Sequence, residues 1–530
     1  MAKNKDIQKV SMYDRWLNGI EAVGNKLPHP VALFGIFCLF IIVISAICAA
    51  LGVSATGKLI ANNELAETTV TAVSLLTKDG LAYIFSHAVS NFTSYAPLGM
   101  VLVAMLGVGV AEQSGLINAL LKQTVKATPK SLITPVVVFL GVMSNIASDA
   151  GYVVLIPLGA MVFRAYGRHP MAGLAAAFAG VSGGFSANLL VGTTDPLLAG
   201  ITQTAVSIID PNYHVQVMGN YWFMFVSTFL ITIVGTFVTD KIVEPRLEAF
   251  SGELLGEEDA SLTTITGAER KGLRRAGITA LIFVIIVVAC CIPANSFFRN
   301  VNGALLGRPA SPLIEGIVVL IALLFFLPAV AFGKTVGTFK NHREVCNAMA
   351  KSMSTMGSFL ALAFVSSQFI QYFNYTKLGT IIALNGANFL DSIDIGLIPL
   401  MVIFVLFSAF MNLFMGSASA KWNILAPVFV PMFMLLGYSP ELSQLAYRIG
   451  DSCTNVITPL MTYFAVIVVF AQRYDKKAGI GTITATMLPY SIAFLFFWTV
   501  MLIIWLAISQ ATGGFPPIGI DTGLFYTLGG

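Results

Sequence analysis

Apolar runs of about 20 residues recur along the whole chain, separated by short polar stretches. A helix of about 20 apolar residues spans a hydrocarbon core of about 30 Å. The pattern therefore predicts an all-α polytopic membrane protein with nine transmembrane helices. The predicted spans are 31–51, 95–112, 170–195, 219–240, 276–293, 313–333, 353–374, 444–470 and 486–508.

Two further apolar segments, 131–166 and 397–436, are interrupted near the middle by polar runs at 144–149 and 416–421. Unwound or polar backbone at membrane depth is tolerated only where protein or water covers it. A polar tip inside an apolar segment is therefore typical of a re-entrant hairpin. We predict two re-entrant helical hairpins in addition to the nine spans.

The distribution of Lys and Arg supports this division. Cytoplasmic loops of membrane proteins collect basic residues, and the nine-span arrangement places 23 of them on one side and five on the other. Counting either hairpin as a full crossing would spoil this asymmetry. We predict a cytoplasmic segment 1–30, one membrane domain over 31–508 with a cytoplasmic insert at about 241–275, and a periplasmic tail over 509–530.

The two halves of the chain show a weak internal repeat. A shift of 270 residues aligns two prolines and two glycines of each half, and each hairpin is followed by a span that polar residues and proline interrupt, at 188–196 and 451–459. By the charge distribution the two hairpins enter from opposite sides, which indicates an inverted repeat with broken helices. Interrupted helices at corresponding positions mark the binding site of many transporters.

Composition excludes several other classes. Hydrophobic residues make up 56% of the chain and charged residues 11%, and the net charge of +4 is too small to indicate a nucleic-acid partner. No phosphate-binding loop or H-E-x-x-H motif is present, and the cysteines suggest no disulfide. We expect a carrier without a cofactor, driven by an ion gradient, rather than an enzyme. A channel would not need paired hairpins.

Five charged residues lie at or near membrane depth, where an exposed charge costs about 2.5–3.5 kcal/mol. They should face the protein interior, water or one another. Arg448 and Asp451 share one helix face, so they are candidates for a structural ion pair as well as for function. The full set is Asp149, Asp195, Lys421, Arg448 and Asp451.

The hairpin tips and helix breaks supply the candidate site. Positively charged groups and half-helix N-termini favour a small organic anion, whereas Ser and Thr at such breaks also cap freed backbone groups. Trp422 is a candidate to stack on a substrate ring or to pack in the scaffold. From the residues alone, the candidate substrate-binding positions are Asn188, Asp195, Ser417, Ser419, Trp422, Arg448, Asp451 and Asn455.

The coupling ion is left open by the sequence. A titrating Asp451 or Asp195 suits a proton, whereas side-chain and backbone oxygens at the breaks suit sodium, since hard cations prefer oxygen ligands. The candidate ion-coupling residues are Asn145, Ser148, Asp149, Asp195 and Asp451, and a sodium site is possible near Asn145, Asn188, Asp451 and Asn455.

Several motifs resemble the p-aminobenzoyl-glutamate transporter (AbgT) family. Four lie in the second repeat, at 417–422 (Ser-Ala-Ser-Ala-Lys-Trp), 425–432, 447–452 (Tyr-Arg-Ile-Gly-Asp-Ser) and 457–459 (Ile-Thr-Pro). Others are 24–30, 167–170 (Gly-Arg-His-Pro), 194–195 and 239–246. The motifs cover about 24–490, whereas 251–267 and the tail after 510 match none.

The resemblance implies a bowl-shaped homodimer in the bacterial inner membrane, with nine transmembrane helices and two hairpins per subunit. It also implies uptake of p-aminobenzoyl-glutamate or proton-driven export of sulfonamide antimetabolites, so the direction stays open. Another organic anion, such as a dicarboxylate, is the alternative substrate. The functional positions that the motifs carry over are Asp195, Ser419, Trp422, Arg448, Asp451 and Pro459.

Overall fold

The structure is a computed structural model that describes residues 28–61, 64–126, 128–147, 151–247, 265–305, 311–461, 463–520 and 522–527. It is mostly helical. The first ten helices are α1 (Pro30–Ala50), α2 (Lys78–Thr93), α3 (Ala96–Ser114), α4 (Leu116–Lys126), α5 (Ile133–Ser144), α6 (Ile156–Ala165), α7 (Pro170–Phe178), α8 (Thr194–Val206), α9 (Tyr221–Val238) and α10 (Gly267–Cys291). The remaining helices are α11 (Pro312–Glu315), α12 (Ile317–Val336), α13 (His342–Ser354), α14 (Gly357–Tyr375), α15 (Leu378–Ser392), α16 (Leu397–Asn412), α17 (Ala418–Leu435), α18 (Pro440–Asn455), α19 (Phe464–Gln472) and α20 (Ile480–Ala511).

Shorter helical turns extend or join some of these helices. Three are π-helical, at Gly151–Leu155, Ala179–Gly183 and Thr239–Val243. Three are 3-10 turns, at Lys130–Leu132, Asn145–Ala147 and Glu244–Arg246. π-Helical turns are frequent at functional sites, and the first two lie in the first hairpin and in the helix that follows it.

Within the described residues, seven helices are long and apolar enough to cross a membrane, and α13 with α14, bent by 46°, forms an eighth candidate. The seven are α1, α2 with α3, α9 with its terminal turns, α10, α12, α17 and α20. The predicted multi-pass helical architecture is therefore present. The predicted spans 170–195 and 444–470 are not continuous helices, because each is broken by a non-helical stretch.

The expectation of an all-α fold is wrong at one place. Strands β1 (Ser54–Ala61) and β2 (Glu64–Thr71) form an antiparallel pair, with Ser54 opposite Thr71. The pair follows α1 and contains several threonines, which favour strands. A side chain at Gly57 would lie 2.5 Å from Leu384 of α15, so glycine lets the strand approach that helix.

Helix α10 illustrates the lipid-facing character of the outer helices. It begins at Gly267 because Thr266 and Glu269 cap each other's backbone N–H groups. Very little of its apolar part is buried, and Leu281, for example, is 60% exposed. An apolar surface of this extent is typical of contact with lipid rather than water.

The two halves repeat one packing arrangement. A side chain at Gly180 would lie 2.3 Å from the carbonyl oxygen of Val138 in α5, and one at Gly450 would lie 2.3 Å from that of Val405 in α16. Each hairpin thus packs its first helix directly against the helix that follows the hairpin. Gly180 and Gly450 are also aligned by the 270-residue shift, so this part of the repeat is structural.

The helix breaks begin at different points in the two halves. After the first hairpin the chain is non-helical over 184–193, and helix α8 then begins at Thr194 with Pro196 in its first turn, where its missing N–H costs nothing. After the second hairpin, helix α18 continues through Asn455, and the described residues of the break are 456–461 and 463. Residues 451–455, predicted to be unwound, are therefore helical.

The C-terminal tail packs on the loops between the membrane helices. Its backbone bonds to two separate segments: Tyr526 and Leu524 pair with 437–439, and Ile518 and Ile520 pair with 218–223. The tail therefore ties the end of the second hairpin to the loop before α9. The predicted N-terminal segment lies outside the described residues except for its last three, as do residues 248–264 of the insert.

Candidate functional site

Lys421 and Asp451 form a buried ion pair between the second hairpin and the helix that follows it. Lys421 Nζ, in the first turn of α17, lies 2.5 Å from Asp451 Oδ1 in α18. The two side chains are only 1% and 2% exposed. The Tyr447 hydroxyl lies 3.3 Å from the same carboxylate oxygen and donates to the carbonyl of Ala418 at 2.6 Å. Each charge compensates the other, because an isolated buried ion costs several kcal/mol.

Asn412 holds this pair in place from the end of α16. Its side-chain oxygen accepts a hydrogen bond from the Lys421 ammonium. Its amide nitrogen lies 2.6 Å from the carbonyl oxygen of Asp451, 2.8 Å from the Thr454 hydroxyl and 2.9 Å from Asn455 Oδ1. The predicted site residue Asn455 therefore acts here as a hydrogen-bond acceptor for the hairpin.

Arg448 and Asp195 form a second ion pair, between α18 and the first turn of α8. Arg448 Nη2 lies 2.6 Å from Asp195 Oδ1, and it also donates to the carbonyl of Ser186 at 3.3 Å. The other Asp195 oxygen accepts a hydrogen bond from the Gly192 N–H at 2.7 Å. The Asp195 side chain is 15% exposed, so solvent reaches this pair more easily than the Lys421 pair.

The pairing differs from the one that the sequence suggested. Arg448 and Asp451 lie three residues apart on one helix, but each pairs with a residue of another segment. Lys421 belongs to the second hairpin tip and pairs with Asp451. Asp195 follows the first helix break and pairs with Arg448. The Nε atom of Arg448 is buried without a hydrogen-bond partner among the described residues.

Trp422 is fully buried beside the first pair. Its ring stacks on Tyr447, with centroids 4.5 Å apart and an interplanar angle of 21°, and its Nε1 donates to the Thr202 hydroxyl at 2.9 Å. In this conformation the ring packs against protein on these contacts. A substrate ring that stacked on Trp422 would have to displace one of them.

A chain of polar contacts leads from Trp422 to a buried acid that the sequence analysis missed. Thr202 donates to Gln444 at 2.7 Å, Gln444 donates to Asn220 at 3.0 Å, and Asn220 donates to the carbonyl of Glu441 at 2.8 Å. The Glu441 carboxylate, 1% exposed, accepts from Tyr213 at 2.9 Å. Glu441 lies three residues before the predicted span 444–470, where the hydrophobic pattern predicts a loop.

Asn145 and Asn188 lie at the first hairpin and its helix break. The amide nitrogen of Asn145 lies 3.2–3.5 Å from the carbonyls of Gly141, Val142 and Gly184. Asn188 Oδ1 accepts from the N–H of Leu190 at 3.3 Å, a local cap of the unwound backbone. Ser148 and Asp149, which were also predicted to couple ions, lie outside the described residues.

Ser417 and Ser419 line a cavity of about 600 Å³ between the start of α1, helix α14 and the second hairpin tip. Ser417 caps α17 by accepting from the N–H of Ala420 at 3.3 Å. Pro459 lies inside the second helix break. The hairpin tip touches this break, since a side chain at Gly416 would lie 2.2 Å from the carbonyl oxygen of Leu460, the residue after Pro459.

The structure thus gathers six predicted residues around the second hairpin: Asp195, Trp422, Arg448, Asp451, Asn455 and Lys421. The serines face the cavity, Asn188 lines a smaller pocket together with Asp195, and Asn145 lies at the first hairpin. Asn412, Tyr447, Thr202 and Glu441 were missed. Asn412 alone had a sequence signal, an amide at the end of an otherwise apolar hairpin helix. Within the described residues, no three His, Cys, Asp or Glu side chains group as metal ligands.

The arrangement suits anion exchange better than bond-breaking chemistry. Arg448 is a planar donor that binds carboxylates in bidentate fashion. Its present partner, Asp195, sits on a helix N-terminus beside an unwound segment. A substrate carboxylate that displaced Asp195 would find both a cation and unsatisfied backbone donors.

Comparisons with known proteins identify the family of this chain. The model of the AbgT putative transporter family matches residues 15–524. The p-aminobenzoyl-glutamate transport protein of Escherichia coli K12 is 39% identical over 495 residues, which cover 93% of this chain and 95% of the relative.

Two solved transporters have similar structures. The YdaH transporter of Alcanivorax borkumensis is 44% identical, with a TM-score of 0.85 and coverage of 93% of this chain and 100% of its own. MtrF of Neisseria gonorrhoeae, described among a class of antimetabolite efflux pumps, is 48% identical, with a TM-score of 0.87 and coverage of 93% and 97%.

These relatives are transport proteins rather than enzymes, which confirms the prediction of a non-enzymatic membrane transporter. The predicted family is confirmed as well, because both the family model and the curated relative extend over nearly the whole chain. This chain belongs to the AbgT transporter family.

Proposed function

We propose that this chain is a secondary transporter that uses an ion gradient to move p-aminobenzoyl-glutamate, to export sulfonamide antimetabolites, or both, by alternating access. The name of the Escherichia coli relative supports the first substrate. The description of the Neisseria gonorrhoeae neighbour supports the second activity. No phosphate-binding loop is present in the sequence, so an ion gradient supplies the energy.

The Arg448–Asp195 pair is the observation that carries this proposal. The pair joins α18 to a helix break, its Arg448 side chain is 4% exposed, and its acid is 15% exposed. p-Aminobenzoyl-glutamate carries carboxylates and one aromatic ring. A substrate carboxylate replaces Asp195 on Arg448, while the serines of the hairpin tip bind polar groups of the substrate.

Trp422 contacts the aromatic part of the substrate in this proposal. Its present partners, Tyr447 and Thr202, contact it by stacking and by one hydrogen bond, so the ring can exchange one stacking partner for another. Substrate affinity should fall more for Trp422→Ala than for Trp422→Phe. If both variants bind substrate as tightly as the wild-type protein, Trp422 belongs to the scaffold only.

Nine spans and two hairpins remain our proposed topology, with the N-terminus in the cytoplasm and the C-terminus in the periplasm of a bacterial inner membrane. The basic residues support it, since 23 lie on the proposed inner side. Single cysteines at Arg274 and Arg299 should label from opposite sides of intact cells. Labelling from the same side would contradict the span assignment.

The chain also forms a homodimer in this proposal, as the family resemblance implies. The mass of the purified protein in a defined detergent, measured by light scattering, should correspond to two chains. A single-chain mass at micromolar concentration would contradict this part.

Flux into liposomes tests the transport proposal. Purified protein should carry p-aminobenzoyl-glutamate or a sulfonamide when either a proton or a sodium gradient is imposed separately. A C4 dicarboxylate serves as the comparison substrate, and an Arg448→Ala variant as the inactive control. Saturable flux of the dicarboxylate alone would replace the proposed substrate, and no flux of any substrate under either gradient would overturn the proposal.

A further inference from the structure

A small pocket lies between Asp195 and the loop before α9, which faces the periplasm in the proposed topology. Asp195 and Val191 line the pocket on one side, and Met218 and Tyr221 line it on the other. The cavity volume is about 10 Å³, which is about the space that one water molecule needs. An organic anion therefore cannot pass from Asp195 to the periplasm through this pocket while it keeps this width.

Tyr221, the first residue of α9, closes the pocket by a contact with unwound backbone. Its hydroxyl donates a hydrogen bond to the carbonyl oxygen of Leu189 at 3.0 Å. Leu189 belongs to the non-helical stretch 184–193, so its carbonyl has no helical partner and needs one from elsewhere. The contact joins the first helix break to the start of α9, and water can replace it if the two segments separate.

The C-terminal tail holds the α9 side of this contact in place. The Phe223 N–H is among the first N–H groups of α9, which have no partner within the helix. It donates to the carbonyl of Ile518 at 3.0 Å, and the Ile520 N–H donates to the carbonyl of Met218 at 3.2 Å. Tyr221 therefore lies between two backbone positions that the tail fixes.

Glycine allows the tail to approach this loop closely. A side chain at Gly519 would lie 2.3 Å from the carbonyl oxygen of Gly219, and the Thr522 hydroxyl donates to the same oxygen at 2.8 Å. A side chain at Gly523, in contrast, would meet no described atom within 4 Å. One added methyl group at position 519 must push the tail away from the loop, whereas one at position 523 fits.

The same tail is bonded to the second half of the molecule. The Ser439 N–H donates to the carbonyl of Leu524 at 2.9 Å, and the Tyr526 hydroxyl donates to Asp210 at 2.7 Å. Ser439 caps α18, the helix that carries Arg448. Separation of the loop before α9 from α18, which would open the pocket towards the periplasm, must therefore stretch or release the tail.

We infer that Tyr221 is the gate between the Asp195 pocket and the periplasm, and that tail residues 518–520 hold this gate closed in the present conformation. A carrier site opens to one side while the other side is closed, and gating contacts commonly lie on loops and at the ends of helices. The inference rests on the proposed alternating access and topology, to which it assigns the periplasmic gate. Release of the tail shifts the population towards the state that is open to the periplasm.

Labelling of a cysteine in the pocket tests the inference in the full-length chain. Val191 lines the pocket and is 9% exposed, so Val191→Cys reports its opening in a chain whose six native cysteines are replaced by alanine. A membrane-impermeant maleimide would be added to intact cells. Gly519→Ala should raise the labelling rate about tenfold, because the methyl group displaces the tail. Tyr221→Phe should raise it about threefold, since only the bond to Leu189 is lost.

Gly523→Ala is the matched control. It makes the same chemical change in the same tail, at a position with free space, and Val191→Cys should label at the unaltered rate. A second reporter, Leu378→Cys, detects general loosening, because Leu378 is 6% exposed and lies in a separate hydrophobic cluster. Equal acceleration of both reporters by Gly519→Ala would overturn the inference, as would equal acceleration by Gly519→Ala and Gly523→Ala.

Thr522→Val makes the same test if Gly519→Ala does not fold, because it removes only the hydroxyl bond to Gly219. Unchanged labelling in the tail variant would overturn the role of the tail, and unchanged labelling in Tyr221→Phe would overturn that of Tyr221. Faster labelling in a protein without any flux in liposomes contradicts the proposed function alone. Substrate flux by the wild-type protein, with unchanged labelling in all variants, contradicts this inference alone.

Discussion

The two halves of this transporter place similar charged groups around their hairpins, but these groups are shielded from solvent to different degrees. In the second half, Lys421, Asp451 and Asn412 form a closed set that excludes solvent. In the first half, helix α8 starts only after ten unwound residues, and its acid, Asp195, is partly exposed and paired with Arg448 across the repeat. The comparison suggests a sealed charge pair that holds the second hairpin and whose acid, Asp451, couples transport to the ion, and an exchangeable pair that meets the substrate.

The largest expected effect comes from breaking the sealed pair. Lys421→Ala leaves Asp451 and Asn412 buried without their cation, and removal of one partner of a buried ion pair costs about 3–5 kcal/mol. The melting temperature in detergent should fall much further for Lys421→Ala than for Arg448→Ala, whose partner Asp195 can be hydrated.

The double variant Lys421→Met/Asp451→Leu is the control for this prediction. It removes both charges and keeps most of the buried volume, so much of the lost stability should return. Equal destabilisation by Lys421→Ala and Arg448→Ala would show that the two pairs do not differ in the way proposed.

A smaller effect, on binding rather than folding, is expected at the exchangeable pair. Arg448→Ala removes a charged donor to the substrate carboxylate, worth about 1.5–3 kcal/mol, so the Kd for p-aminobenzoyl-glutamate should rise about 10- to 100-fold. Calorimetric titration measures this change. Arg448→Lys should lose less affinity, and an unchanged Kd in Arg448→Ala would place the anion elsewhere.

The smallest expected effect concerns the caps of the two helices that follow the hairpins. Helix α7 is capped by His169, whose Nδ1 accepts from the Met171 N–H at 3.1 Å, and α18 is capped by Ser439, whose hydroxyl accepts from Leu442 at 3.3 Å. Burial lowers the pKa of His169, although Glu244 opposes this change. Only a neutral imidazole can accept here, so one half has a cap that depends on pH.

The sign of this dependence follows from the lowered pKa. Stability from the His169 cap is fully present above the unfolded value of about 6.5 and is lost as the pH falls through the lower folded value. Its size is about 1 kcal/mol, the usual worth of a cap. The melting temperature of His169→Ser minus that of the wild-type protein should be higher at pH 5 than at pH 8. Ser439→Ala should lower the melting temperature by the same amount at both pH values. A constant difference for His169→Ser would contradict the prediction.

The sequence allowed prediction of those features that depend on local composition. Apolar length predicted the long helices, and the polar runs that begin at 144 and 416 lie at the end of α5 and at the start of α17. Proline and polar residues predicted the breaks, but not that Asp451 to Asn455 remain helical, because tertiary contacts from Asn412 to this turn stabilise it.

Pairing across long separations could not be predicted in this way. Lys421 and Asp451 lie 30 residues apart and Arg448 and Asp195 lie 253 apart, so only the packing of the two halves brings them together. The strand pair at β1 and β2 was missed because its polar composition resembles a loop. Glu441 and Thr202 were missed because single polar residues near span ends give no periodic signal.

Gradient-driven flux by Asp451→Asn, compared with Asp195→Asn, tests most directly whether the two pairs have different roles. The exchange of p-aminobenzoyl-glutamate at equilibrium and its accumulation under an imposed proton or sodium gradient would be measured in the same liposomes. Assayed below its lowered melting temperature, Asp451→Asn should retain substrate binding and lose accumulation, because an amide can neither titrate nor carry the charge that couples to the ion. Accumulation at the wild-type rate by Asp451→Asn, together with its loss in Asp195→Asn, would contradict the account and assign coupling to the exchangeable pair.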